Sequence, residues 1–312
     1  IVPNMEDIYA QAELIVKVKE PLPQEYLLIK PHHTLFTFFH FAASLSLTEA
    51  MLKSQATCIA YETIEDKSGA LPLLAPMSEV AGRLAGQQAA KYLEKPQGGS
   101  GILVGGVSGV APAKVLVLGG GVVGTNAADV LVGMGANVTI CDVNESRLKA
   151  LEEIFDGKVE TILASKESIA AKLHTTDAVI GAVLVKGAKA PKLITRTMLS
   201  LLKPHSVLVD VAVDQGGCFE TTKPTTHENP AYYVDDILHY AVANMPGAVP
   251  QTSTQALSNR AFPYVMKLIN KSIKELPMEI RKGVNMYQGK LTNREVADAF
   301  KLPYSNLSTI LV

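Results

Sequence analysis

Apolar residues fall into short runs that alternate with stretches of helical spacing. Nearly unbroken apolar runs occupy 13–18 (ELIVKV), 57–61 (TCIAY), 114–119 (KVLVLG), 137–142 (NVTICD), 178–184 (AVIGAVL) and 206–213 (SVLVDVAV). Their β-branched residues and scarcity of polar positions predict strands covered on both faces. Helical spacing predicts helices near 43–54, 77–94, 122–134, 145–154, 166–173, 195–202, 252–270 and 292–301. The alternation predicts an α/β fold built of βαβ units around a Rossmann-type, doubly wound parallel sheet.

The 77–94 segment, SEVAGRLAGQQAAKYLE with its preceding Met77, is Ala-rich and carries Ser78 as a candidate N-cap. A glycine-rich stretch follows Pro96, so this helix reads as a connector between lobes. Pro246 and Pro250 punctuate the chain again before the 252–270 helix. The expected layout is a Rossmann domain over 76–250 inserted into a second, discontinuous α/β domain made of 1–75 and 251–312.

Length and composition fit this layout. A chain of 312 residues suits two lobes rather than one core. With 47% hydrophobic and 19% charged residues, disorder is excluded. Twenty-nine Lys and Arg balance 30 Asp and Glu, so no basic excess marks a nucleic-acid or anionic-membrane surface. No apolar run is long enough to span a bilayer. Cys58, Cys141 and Cys218 are odd in number and widely spaced, which argues against a disulfide framework or zinc knuckle and for the reducing cytoplasm. His32-His33 follows a proline, reads as an exposed loop pair, and lacks partners at metal-ligand spacing, so no metal is expected.

The strongest local signal is KVLVLGGGVVGTNAADVLVGMGANVTICD. Gly119, Gly121 and Gly124 form GxGxxG between a strand and a helix, where they permit a tight turn, close backbone approach to a pyrophosphate and close helix packing. The helix N-terminus adds free N–H groups and a favourable dipole for phosphate. Asp142 ends the next strand, where a carboxylate accepts ribose hydroxyls and repels a 2′-phosphate, so NAD is the expected cofactor. Arg147 is the counter-signal, because a guanidinium accommodates that phosphate.

Three further residues are candidates for chemistry. Lys19 in KVKEP follows a buried strand and could meet a carboxylate, or equally be a solvated strand end. His40 lies in TLFTFFHFAAS; apolar surroundings would displace its pKa and suit proton transfer, though such histidines are more often core residues. Asp214 in VLVDVAVDQGGCFE lies just past a strand end, where open α/β sheets bind ligands; the alternative is a turn aspartate before Gly216-Gly217.

At these residues the chain resembles the bacterial alanine dehydrogenase family. KVKEP, LFTFFHFAAS, AYETIE, LPLLAPMSEVAGRLA, GGGVVG, GAVLVKGAKAPKLI, VDVAVDQGGCFE and YAVANMPGAVPQTST occur in the family's order and cover nearly the whole chain. The wider family includes the NAD-binding portion of nicotinamide nucleotide transhydrogenase, but DQGGCFE with Lys19 and His40 resembles the dehydrogenase branch. The resemblance implies reversible conversion of alanine, NAD and water to pyruvate, ammonium and NADH by a homo-oligomer, a hexamer. It implies Lys19 as substrate-binding residue, His40 as acid/base and Asp214 as the essential aspartate. It also implies cofactor contacts at Ser78, Val122, Val123, Asp142, Arg147, Val183, Leu184, Val211, Ala212, Val213, Asp214, Val242, Ala243, Asn244 and Met245. Where the family often has a serine near the adenine, this chain has Ala164. The resemblance further implies a substrate-clamping arginine in a segment preceding Ile1. The rival readings are a transhydrogenase-type domain, a dehydrogenase for another amino acid, and a silent NAD(H)-binding module.

Overall fold

A computed structural model describes residues 1–183 and 190–312. The chain divides into one unit of Ile1–Pro76 with Thr254–Val312 and another of Met77–Ser253. In chain order the first unit begins with α1 (Met5–Gln11), β1 (Leu14–Val16), β2 (Thr34–Thr37), α2 (Leu45–Ser54) and β3 (Thr57–Ala60). Helix α3 (Ala75–Tyr92) leads into the second unit. That unit continues with β4 (Lys114–Leu118), α4 (Val122–Gly133), β5 (Asn137–Asp142), α5 (Glu145–Phe155), β6 (Val159–Leu163), α6 (Lys166–Leu173), β7 (Ala178–Gly181), β8 (Val207–Asp210), β9 (Ala231–Val234) and β10 (Ile237–Tyr240). Helix α7 (Pro250–Leu268) returns to the first unit, which ends with α8 (Met278–Lys282), β11 (Val284–Tyr287), β12 (Lys290–Leu291), α9 (Arg294–Phe300) and α10 (Leu307–Ile310).

The second unit is a seven-stranded sheet in the order β6-β5-β4-β7-β8-β10-β9. All neighbours are parallel except β9, which pairs antiparallel with β10 at one edge. This is a doubly wound Rossmann order, with the reversal of winding between β4 and β7. Strand β4 shows why the apolar runs are continuous. Val115 and Val117 join one buried cluster, while Leu116 and Leu118 join another. Helix α3 approaches α4 closely, since a Cβ on Gly82 would strike the carbonyl of Val123.

The first unit is a five-stranded sheet in the order β1-β2-β3-β11-β12. Its first three strands are parallel, and β11 and β12 join antiparallel. Leu35, Phe39, Phe41, Met51, Cys58 and Met286 belong to its core. The β11–β12 hairpin turns on Gln288 and Gly289, both with positive φ, as a two-residue primed turn requires.

Several sequence expectations need correction. Helix α3 begins at Ala75, so Ser78 lies in its first turn and does not cap it. The apolar run over 206–213 ends as a strand at Asp210, and Val211–Gln215 form a 3₁₀ turn. The 195–202 helix is likewise 3₁₀, over Arg196–Leu201. His33 is not exposed: it is fully buried, with Nδ1 accepting the Lys30 N–H at 3.0 Å and Nε2 lying 2.9 Å from the Tyr9 carbonyl.

Candidate active site

The glycine loop sits at the reversal of strand order, outside the carboxyl end of β4, where ligands of open α/β sheets bind. Gly119 has φ +101°, and a Cβ there would meet the carbonyl of Ala182, just past β7, at 2.8 Å. A Cβ on Gly124 would collide with the carbonyl of Gly119, so the start of α4 packs directly on the turn. At Gly121, nothing among the described residues lies within 4 Å of where a Cβ would stand, leaving its backbone approachable. Val122 and Val123 open α4 behind it. These features fit a pyrophosphate on the helix N-terminus.

Asp142 and Arg147 hold the Gly120 peptide from both ends. Asp142 Oδ2 accepts the Gly120 N–H at 2.7 Å, and its Oδ1 accepts that of Asn144 at 2.9 Å. Arg147 Nε donates to the Gly120 carbonyl at 2.7 Å, and Nη2 donates to Thr125 Oγ1 at 2.8 Å. The Arg147 guanidinium is therefore engaged with the loop, which weakens the case for its holding a 2′-phosphate.

The other expected cofactor positions lie after β7, β8 and β10. Val183 follows β7 and is half-buried, while Leu184 lies outside the described residues. Val211, Ala212, Val213 and Asp214 make the turn after β8, and Asp214 is exposed. After β10, Val242 and Met245 point into the core, so only their backbones remain for contact. Ala243 is half-buried, and Asn244 is exposed in the left-handed region at φ 55°. Asp210, which ends β8, is 1% exposed. Burial pushes its carboxyl above the ordinary range although Thr222, Cys218, Phe219 and Ala212 all donate to it. Burial likewise raises the Cys218 thiol to about 12, so it is inert as a nucleophile at neutral pH.

In the first unit, Lys19 and His40 follow the carboxyl ends of the adjoining strands β1 and β2. The Lys19 carbonyl accepts the Thr37 hydroxyl at 3.0 Å, and the Val18 carbonyl accepts the Phe38 N–H at 3.3 Å, which extends the pairing beyond β1. Lys19 is exposed. His40 is also exposed, not enclosed as its aromatic neighbours suggested, because Phe39 and Phe41 turn into the core on either side. Its ring stacks on Phe38 with centroids 5.8 Å apart. The backbone of His40 is left-handed, at φ 50° and ψ 41°.

Sequence reasoning missed Glu62, which follows β3. Its carboxylate accepts the N–H of His40 at 2.6 Å and that of Phe39 at 3.1 Å. Residues after three adjacent parallel strands thus gather at one sheet end. Glu62 lies within AYETIE, but nothing in its spacing links it to His40. Glu20 Oε2 and Gln215 Oε1, next to Lys19 and Asp214, are buried without a hydrogen-bond partner among the described residues. Orphaned acceptors cost about 1–3 kcal/mol and call for an explanation such as a ligand or water. Among the described residues, no group of His, Cys, Asp and Glu could hold a metal ion, and no helix is long and apolar enough to cross a membrane.

Comparisons with known proteins agree across the chain. The family model described as alanine dehydrogenase/PNT, N-terminal domain, matches residues 1–81, and its C-terminal counterpart matches 85–294. An alanine dehydrogenase of Halomonas elongata is 53% identical over 311 residues, covering 99% of this chain and 84% of that protein. One from Mycolicibacterium smegmatis is 49% identical over 314 residues, covering 100% of this chain and 85% of its own. A solved L-alanine dehydrogenase superposes with a TM-score of 0.90 at 48% identity, over 96% of this chain and 83% of the other. A transhydrogenase from Sinorhizobium meliloti shares the fold, with a TM-score of 0.79 at 20% identity over 93% of this chain and 84% of the other.

Proposed function

Because the chain belongs to the alanine dehydrogenase/PNT family, we propose that it is an NAD-dependent amino-acid oxidoreductase that converts alanine, NAD and water reversibly to pyruvate, ammonium and NADH. The observation that carries this reading is 53% identity to an alanine dehydrogenase over nearly the whole chain, with Lys19, His40 and Asp214 each just past a strand end. The transhydrogenase likeness, at 20% identity, supports the fold alone.

Residues of the 77–253 unit would hold the dinucleotide. The α4 N-terminus and Gly121 backbone suit its pyrophosphate, and Asp142 suits the ribose hydroxyls. Bound NAD supplies the acceptor for the hydride lost from the alanine α-carbon. The Lys19 ammonium binds the substrate carboxylate as a point charge. His40 takes a proton from the water that adds to the resulting iminium carbon and returns it to the carbinolamine nitrogen. Asp214 stabilises the cationic nitrogen as the carbinolamine collapses to pyruvate and ammonium. Ser78, Val183, Leu184, Val211 to Asp214, and Val242 to Met245 remain proposed cofactor contacts.

Assembly as a homo-oligomer, a hexamer by resemblance, belongs to the same reading. Helix α7 supports it by leaving Phe262 and Met266 exposed one turn apart, with Ile269 exposed just past its end. The buried, unpaired Cys58, Cys141 and Cys218 suit the cytoplasm proposed as its compartment. Substituting His40→Ala tests the mechanism: alanine-dependent NADH formation should vanish while NADH binding persists. Retained turnover would remove His40 from the acid/base role.

A further inference from the structure

The segment after β8 carries Asp214 on a short 3₁₀ turn closed by two glycines. Gly216 and Gly217 have φ +88° and +80°. Their N–H groups donate to the carbonyls of Val213 at 2.9 Å and Ala212 at 3.0 Å, bracketing Asp214. Two ionisable groups of opposite sign, Asp210 and Lys192, hold this turn.

On one side stands the Asp210 carboxylate. Its Oδ1 accepts the Ala212 N–H at 3.1 Å, and its Oδ2 accepts those of Cys218 at 2.9 Å and Phe219 at 3.3 Å, together with the Thr222 hydroxyl. Gly217 must be glycine here, since a Cβ would meet Asp210 Oδ2 at 2.5 Å. The carbonyls of the same loop are gathered by Lys192. Its Nζ donates to Gly216 O at 2.5 Å, Gly217 O at 2.9 Å and Phe219 O at 3.1 Å. Three acceptors match the three protons of an ammonium. Among the described residues, no carboxylate pairs with Lys192. The backbone around it reinforces the junction, with Ala190 N–H on Gln215 O at 3.0 Å and Leu193 N–H on Cys218 O at 2.7 Å.

Three carbonyl dipoles converging on one point repel one another unless a cation stands there. A hydrated surface lysine would ordinarily sit beside a carboxylate or in water. This one is committed to backbone immediately after the proposed essential aspartate.

We propose that Lys192 is a positioning residue for Asp214, its ammonium locking the carbonyls of Gly216, Gly217 and Phe219 so that the Asp214 carboxylate stays in its reactive placement. The inference rests on the reading of Asp214 given above. Lys192 touches neither substrate nor cofactor in this role. Its loss should therefore appear in kcat and not in the affinity for alanine, whose carboxylate is assigned to Lys19.

The test compares Lys192→Met, Lys192→Ala and Asp214→Asn in the alanine-oxidising direction with the intact protein. A misplacement of about 1 Å costs up to roughly a hundredfold in rate, so Lys192→Met should lower kcat by about tenfold or more. The KM for alanine and the thermal midpoint should stay near those of the parent. Added propylammonium should restore part of the kcat of Lys192→Ala, where there is room for it, and none of that of Lys192→Met. Unchanged kcat in Lys192→Met with turnover lost in Asp214→Asn would overturn the inference alone. So would a fall in kcat that tracks a lowered thermal midpoint and is not rescued by propylammonium. Retained turnover in Asp214→Asn would overturn the reading of Asp214, and the inference with it.

Discussion

Glu62 holds His40 in a left-handed backbone conformation: its carboxylate receives the His40 N–H at 2.6 Å, where His40 has φ 50°. A non-glycine residue in that region costs of order 1–3 kcal/mol. Hydrogen bonds to a carboxylate contribute about 1.5–3 kcal/mol each, and Glu62 takes the Phe39 N–H as well. The carboxylate therefore offsets the strain. It leaves the His40 ring outside the core while Phe39 and Phe41 enter it.

Substituting Glu62→Ala should free this turn. The expected result is a loss of kcat for alanine oxidation of about tenfold or more, as for other displaced catalytic groups. NADH binding should persist, because the glycine loop lies in the other unit. Steady-state kinetics beside an NADH fluorescence titration would measure both.

Gly124→Ala should damage cofactor binding. The added methyl would strike the Gly119 carbonyl, and relieving such overpacking costs about 1–3 kcal/mol. NADH affinity should fall by about tenfold, the equivalent of 1.4 kcal/mol. Calorimetric titration of the folded variant would give the value.

Asp142 and Arg147 make separable predictions because they grip opposite ends of the Gly120 peptide. Asp142→Ala should weaken NAD and raise the ratio of NADP to NAD in kcat/KM, since the repelling carboxylate is gone. Arg147→Met should weaken both cofactors and leave that ratio unchanged. Initial rates with each cofactor would distinguish the two effects.

Acid should loosen the first unit through Glu25. Burial pushes its carboxyl up, but the Leu22 N–H, the Lys17 ammonium and the Tyr9 hydroxyl together outweigh burial and hold it below the ordinary 4.5. A folded value below the unfolded one means the stabilisation is fully present above pH 4.5 and is lost as pH falls through the lowered value. Thermal midpoints of the parent and of Glu25→Gln should differ near neutrality and converge in acid.

What was legible in the sequence depended on burial. Strands β4, β5, β7 and β8 are covered on both faces and read as continuous apolar runs, and the glycine loop was legible because strand, turn and helix adjoin in sequence. Strand β6 escaped because it is an edge strand with Glu160 and Leu163 exposed. The β9–β10 hairpin escaped because its turn is Asp235-Asp236, both at positive φ, without the usual glycine. His33 was misread because its burial depends on Tyr9, far along the chain. Glu62 was illegible for the same reason: only the pairing of β2 with β3 brings it to His40.

The most direct measurement follows NADH absorbance, first with alanine and NAD at alkaline pH, then with pyruvate, ammonium and NADH near neutrality. The account predicts turnover in both directions, with NADP a much poorer substitute for NAD. Binding of NADH with no turnover of alanine or pyruvate would contradict it.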